Sequence, residues 1–427
     1  MSFDWSLAFL SLAGGLILLI GAALARAYEK TIFAPATAML LTWGVALVVL
    51  SLLPLMGFYH LSIEAVFLYV LGAGWFAFVA ILTSWILSRY SSPADHRHGV
   101  TADHLNYSRL LLLWAVIAVI TYPLAVINVL SFGSNIVEIS YNIRRAAVSG
   151  ESILHPIVSN LFVLLGVLAN IVLFGVIQKK VKLVNFLALV VPLVVISLIV
   201  AGRSGLVSMT LGWLVILAVF SDKLKFRYLA LPILFLLFVL YFGGVWVKKF
   251  DVEGQSAGNA VVVLADHIFG YLYMGPVLFS RYFTSEIDIQ ANWDFLNSAC
   301  HMLSKLDWCT PKHQHADFAS YGESRSGNVY SMYFSIIPTY GVLGLALAFG
   351  VYAIFLSVVF NMMKARSLFA LVVYPMMFSA IVLSVFSDGI GYALYWIIKV
   401  LIMCAFIRAL FSERNNVHNS GSQIARG

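Results

Sequence analysis

Five arginines and three carboxylates attract attention first, because a chain this apolar carries few charges and each one needs a reason. Arg203 lies in Val200-Ala-Gly-Arg-Ser-Gly205, a tight turn between two apolar stretches. A guanidinium there has two readings. It snorkels to lipid headgroups, or its fork of donors grips phosphate oxygens in pairs. Arg144 and Arg145 stand together in Tyr141-Asn-Ile-Arg-Arg-Ala-Ala-Val-Ser-Gly150. Adjacent helical residues face different partners, so at most one of them addresses a central site. Arg281 follows an aromatic segment, and Arg325 sits in Tyr321-Gly-Glu-Ser-Arg-Ser-Gly-Asn328. Together the five would make an anion-binding mouth. The candidate acid/base groups are Asp388 in Phe386-Ser-Asp-Gly-Ile-Gly-Tyr392, Glu323 two residues from Arg325, and Asp266 beside His267, in that order. Each is otherwise a structural or solvated residue. Near a bilayer, desolvation favours a protonated carboxyl and a nearby arginine offsets that.

Other chemistries have little support. The spaced pairs His96 with His98 and His313 with His315 lack further ligands, so neither a metal nor any other cofactor is expected. No phosphate-cradling loop, dinucleotide fingerprint or Ser-His-Asp framework is present, and the longest inside connection is too short for a soluble nucleotide-driven domain. Cys404 lies in an apolar stretch, while Cys300 and Cys309 share one loop and can pair if it faces an oxidising compartment.

These residues must be positioned by a membrane scaffold. Of the 427 residues, 62% are hydrophobic and only 11% charged, against about 25% charged in ordinary soluble chains. That excludes a water-soluble enzyme, a disordered chain and a nucleic-acid binder despite the net charge of +7. An all-α, polytopic integral membrane protein is expected. Its apolar stretches run at 7–25, 33–57, 64–88, 109–130, 155–177, 183–200, 205–221, 228–246, 330–360, 368–387 and 393–411, which makes eleven spans. The first is not a cleaved signal, because Asp4 precedes it and Arg26 and Lys30 follow it. Counting from an outside N-terminus, every inside connection is basic, including Lys179, Lys180 and Lys182 in one turn, and the C-terminus falls inside. The chain divides into an eight-helix bundle over 1–246, a large outside loop over 247–329, three last spans over 330–411 and a loose tail over 412–427. Within the loop, Ile268–Phe279 suits a re-entrant or interfacial helix, and Phe295–Leu306 is amphipathic.

The chain resembles the O-antigen polymerase group, the oligosaccharide repeat-unit polymerases of bacterial surface polysaccharide synthesis. The likeness rests on Ile196-Ser-Leu-Ile-Val-Ala-Gly-Arg-Ser-Gly-Leu206, on Asn328-Val-Tyr-Ser-Met-Tyr333 with Gly341-Val-Leu-Gly344, and on Tyr271-Leu-Tyr-Met-Gly-Pro276. Ser331 stands where the family commonly has threonine, and Thr339-Tyr340 precede Gly341 where it often has an acid, which shifts attention to the three carboxylates above. The resemblance implies a GT-C-like, metal-independent glycosyltransferase of the bacterial inner membrane with a periplasmic loop. A growing glycan on undecaprenyl diphosphate would move to the non-reducing end of a second lipid-linked repeat unit. Arg203, Arg281, Arg144, Arg145, Arg325, Asn328 and Tyr330 would bind substrate, and a chain-length regulator and a flippase of the same pathway would be partners. An O-antigen ligase is the near alternative, and a flippase or other transporter the more distant one.

Overall fold

The computed structural model describes residues 4–90, 102–149, 153–199, 203–221, 257–288, 296–310, 318–323 and 325–412. The predicted span 228–246, the histidine pairs and the tail after 412 lie outside them. Helices run over Trp5–Glu29 (α1), Pro35–Leu52 (α2), Ile63–Tyr90 (α3), Tyr107–Leu130 (α4), Ile136–Ser149 (α5), Pro156–Ile177 (α6), Leu183–Ile199 (α7) and Arg203–Phe220 (α8). After them come Ala257–Phe283 (α9), Asn297–Leu303 (α10), Ile337–Lys364 (α11), Leu368–Val382 (α12), Gly389–Tyr392 (α13) and Leu394–Phe411 (α14). Strands Ala319–Gly322 (β1) and Arg325–Gly327 (β2) form one antiparallel hairpin.

Among the described residues, eight helices are long and apolar enough to cross a bilayer, and the shorter Leu183–Leu198 and Gly205–Phe220 coincide with the sixth and seventh predicted stretches. The protein is an all-α, multi-pass membrane protein. Its lipid-facing side explains why Phe9, Ile17, Leu71 and Val119 stand exposed. Hydrocarbon is as apolar as they are, so close packing, not dehydration, holds the helices together. α1 lies along α2, α3 along α11, and α8 along α12. Where these meet, Trp43, Tyr69, Tyr333, Phe279 and Phe349 form a buried aromatic cluster. Its polar atoms are paired internally, as a water-free interior demands. Trp43 Nε1–H donates to Ser384 Oγ (3.0 Å), Tyr69 O–H to the Pro276 carbonyl (2.8 Å) and Tyr333 O–H to the Tyr69 carbonyl (3.2 Å).

Successive helices alternate in direction, so the connections gather at two ends. One end holds Lys30, the Lys179–Lys182 turn and Arg366, and it is stitched by the short segment 102–106. Ala102 N–H donates to the Arg366 carbonyl (3.0 Å) and Asn106 N–H to the Phe411 carbonyl (2.9 Å), while Leu105 bridges to Ser412. Arg366 Nη1 lies 3.1 Å from Asp103 Oδ2, and Lys180 Nζ–H reaches the Asp103 carbonyl. The other end carries the hairpin, α10 and α13.

Two expectations change in detail. The predicted stretch 330–360 is not helical throughout. Residues 331–336 form a buried irregular passage, and the helix starts at Ile337. Within that helix Gly341 breaks the backbone at φ 65°, ψ −168°, a region essentially closed to other residues. Ile268–Phe279 is also not a short helix of its own but part of the single helix α9, whose stretch Met274–Ser280 is buried. Tertiary packing of that aromatic half against α3 sustains a helix that propensity alone leaves broken.

Candidate functional site

The hairpin end carries most of the described candidate residues. Gly57 takes a left-handed conformation (φ 83°) and turns the chain leaving α2. Phe58 then bridges to Gly322, Tyr59 N–H donates to the Tyr321 carbonyl (3.1 Å), and Glu323 N–H donates to the Gly57 carbonyl (3.2 Å). The 57–59 turn is thereby fastened to the hairpin through a single isolated bridge. Two arginines lie over its rings. The Arg281 guanidinium sits 4.4 Å from the Tyr59 ring centre, and that of Arg325 sits 5.0 Å from the Phe58 ring centre. Such stacks add roughly 0.5–2 kcal/mol and orient the guanidinium plane.

Arg281 is anchored further. Its Nε–H donates to Glu286 Oε2 (3.1 Å) and one Nη1–H to the Ser320 carbonyl. Ser320 Oγ–H in turn lies within reach of Tyr59 Oη (3.3 Å) and the Gly322 carbonyl (2.8 Å). The Arg281 side chain is only 17% exposed, and its remaining N–H donors have no partner among the described residues. Glu323 is exposed at the hairpin turn. Asn328 is half-buried just after β2, and Tyr330 is buried with its ring stacked on Phe334 at 4.2 Å.

Asp388 occupies different surroundings. It is 1% exposed and caps the four-residue helix α13. Its Oδ1 accepts from Ile390 N–H (3.2 Å) and Gly391 N–H (3.0 Å), and its Oδ2 from Ser335 O–H (3.0 Å) and Tyr352 O–H (3.2 Å). Three of these donors are committed to the carboxylate, while the single Ser335 proton is shared with the Met332 carbonyl at 2.8 Å. Burial nevertheless pushes its carboxyl above the usual carboxylate range, against the downward pull of those bonds. No described arginine or lysine pairs with it.

The structure thus gathers Arg281, Arg325 and Glu323 around one hairpin and places Asn328 and Tyr330 on the passage leading from it toward Ser335. The other candidates stand apart. Arg145 is exposed on α5, whose Ile139 and Ile143 pack toward Val129. Arg203 opens α8, and Asp266 lies within α9. The side chains of Arg144, Arg203 and Asp266 lie outside the described residues. Cys300 and Cys309 are joined in a disulfide that closes α10 onto its return, while Cys404 is free and buried. Among the described residues, no cluster of three or more His, Cys, Asp or Glu side chains could hold a metal ion.

Sequence reading missed Tyr59, Phe58, Ser335 and Tyr352. Each lies in or beside an apolar stretch, where a ring or hydroxyl gives no signal until the long-range partner is known. Comparison of the chain with known protein families, curated proteins and solved structures finds no match to any of them.

Proposed function

We propose that the chain is a membrane glycosyltransferase of the repeat-unit polymerase kind. It would move a growing glycan from undecaprenyl diphosphate to the non-reducing end of a lipid-linked oligosaccharide repeat unit, outside the cytoplasmic membrane. The observation that carries this reading is Arg281: a guanidinium stacked on Tyr59, tied at two corners, with its other donors unpaired among the described residues. A fork held in advance of its ligand suits a leaving diphosphate, whose negative charge grows as the glycosidic bond breaks. Arg325 stacked beside it would share the anion, while Arg203 at the start of α8 and the Arg144–Arg145 pair stand apart from this hairpin.

The orientation has two supports. Basic residues crowd the end stitched by segment 102–106, which suits the cytosol. The Cys300–Cys309 pair lies at the opposite end, which suits an oxidising compartment. In this reading Glu323, exposed at the hairpin turn, takes the acceptor hydroxyl proton. Asp388, bound by the α13 amides and Tyr352 and in reach of Ser335, holds the α13 turn and the Ser335 passage in place. Asn328 and Tyr330 would line the way between them.

Purified protein supplied with lipid-linked repeat units tests the reading directly, since long-chain product is expected from the intact chain. Glycan analysis of a deletion strain separates the alternatives. Core bearing one repeat marks a polymerase, unligated polymer marks a ligase, and trapped inside-facing units mark a flippase. Either of the last two patterns overturns the proposal.

A further inference from the structure

Lys399 lies in the second turn of α14, an apolar helix long enough to span a bilayer. A cation at such a depth is costly and pairs with an acid in most settings. Here it does not. Its Nζ–H donates to Asn160 Oδ1 (2.8 Å), a neutral amide in the second turn of α6, and its Nζ sits 4.2 Å from the Tyr395 ring centre. Neither contact cancels the charge, and no carboxylate pairs with it among the described residues. Both helix ends belong to the hairpin end of the bundle, because α6 begins at Pro156 and α14 at Leu394.

The surroundings suit an amphiphile. Tyr395, Ile398, Leu401 and Ile402 follow one another along one exposed face of α14, with Lys399 one turn below Tyr395 on the same helix. Asn160 and Ile157 are exposed one turn apart on α6. A side chain that merely snorkels swings freely toward the headgroups. This one is held by an amide and a ring, with a positive charge left over.

We propose that Lys399, positioned by Asn160 and Tyr395, binds the phosphate of a lipid whose chain lies along Ile398, Leu401 and Ile402. The ammonium supplies the charge, the Asn160 amide N–H₂ supplies further donors, and the exposed apolar face of α14 accepts the hydrocarbon. The same chemistry serves the phosphate of a polyprenyl carrier or that of an anionic glycerophospholipid.

The test uses full-length protein in phosphatidylcholine nanodiscs carrying either undecaprenyl phosphate or phosphatidylglycerol, with retained lipid counted by native mass spectrometry. Lys399→Met is expected to lower retention roughly fivefold, the factor for losing one lysine at an anionic membrane surface, while Lys399→Arg restores it. Asn160→Ala is expected to weaken retention without changing the charge. Arg408→Met, at the other end of the same helix, controls for loss of a cation as such. Stronger retention of undecaprenyl phosphate assigns the site to the carrier, and stronger retention of phosphatidylglycerol assigns it to bulk lipid. Equal retention by the intact chain and Lys399→Met, with unchanged thermal unfolding, overturns the proposal. So does an equal loss in Arg408→Met.

Discussion

Asp388 and Glu323 invite the same substitution with opposite results. Asp388→Asn keeps an oxygen for the Ile390 and Gly391 amides, and its new amide can donate where Ser335 and Tyr352 donated before. It is expected to fold and to retain more polymerase activity than Glu323→Gln, which keeps the hairpin but loses the proton acceptor. Asp388→Ala leaves the Ile390, Gly391 and Tyr352 donors without their acceptor in a buried place and is expected to cost about 1–3 kcal/mol in unfolding experiments. The pH dependence carries a definite sign. Burial holds the Asp388 carboxyl above its ordinary range, so the folded chain binds that proton more tightly than the unfolded one. Its contribution is complete below the ordinary value of about 3.9 and is lost as pH rises through the raised one. The melting-temperature advantage of the intact chain over Asp388→Asn therefore shrinks from acid toward neutral pH. An advantage that widens with pH would show a carboxylate stabilised by its donors. The sequence marked Asp388 as an isolated acid in a tight turn, but Tyr352 looked like one more ring in a span. Only the fold reveals that the acid has a hydroxyl partner 36 residues away.

Among the elements, α11 shows best what a sequence pattern conveys and what it omits. The Gly341-Val-Leu-Gly344 spacing is visible in the chain, yet it reads as a close helix contact when the first glycine is a backbone break. The reason is local: φ 65° with ψ −168° admits glycine and little else. No neighbour would touch an added methyl there, so Gly341→Ala isolates the backbone cost. A loss of about 1–3 kcal/mol is expected by thermal unfolding in detergent. An unchanged transition would mean that the break relaxes into ordinary helix. The disulfide gives a second measurement at this scale. Cys300→Ser opens a short loop and is expected to cost about 2–3 kcal/mol, matched by reductant acting on the intact chain. Intact-mass measurement of alkylated protein checks the pairing itself, and two free thiols would end it. Here the sequence supplied both cysteines but left the compartment open.

For the whole molecule, the hydropathy pattern and the basic turns make most of the architecture legible. Asp4 illustrates why: the acid just ahead of the first apolar stretch is the cap of α1, accepting from the Ser6 and Leu7 amides at 2.9 and 3.3 Å. Reporter fusions after Lys182 and Arg366 are expected to register cytoplasm, and a fusion within α10 is expected to register the outside. An inside signal from α10 would remove the basis of the proposed function. What hydropathy could not show was the continuity of α9 or the irregular passage before Ile337, because both depend on packing between distant segments. The stitched end adds a dimension of time. Translation delivers Asp103 263 residues before Arg366 and Asn106 still longer before Phe411. During that interval the Ala102 and Asn106 amides ahead of α4 await partners that do not yet exist, while the Arg109 amide is already capped by Asn106 Oδ1. The stitched end is therefore expected to close only once α14 has been made, which makes that helix its latch.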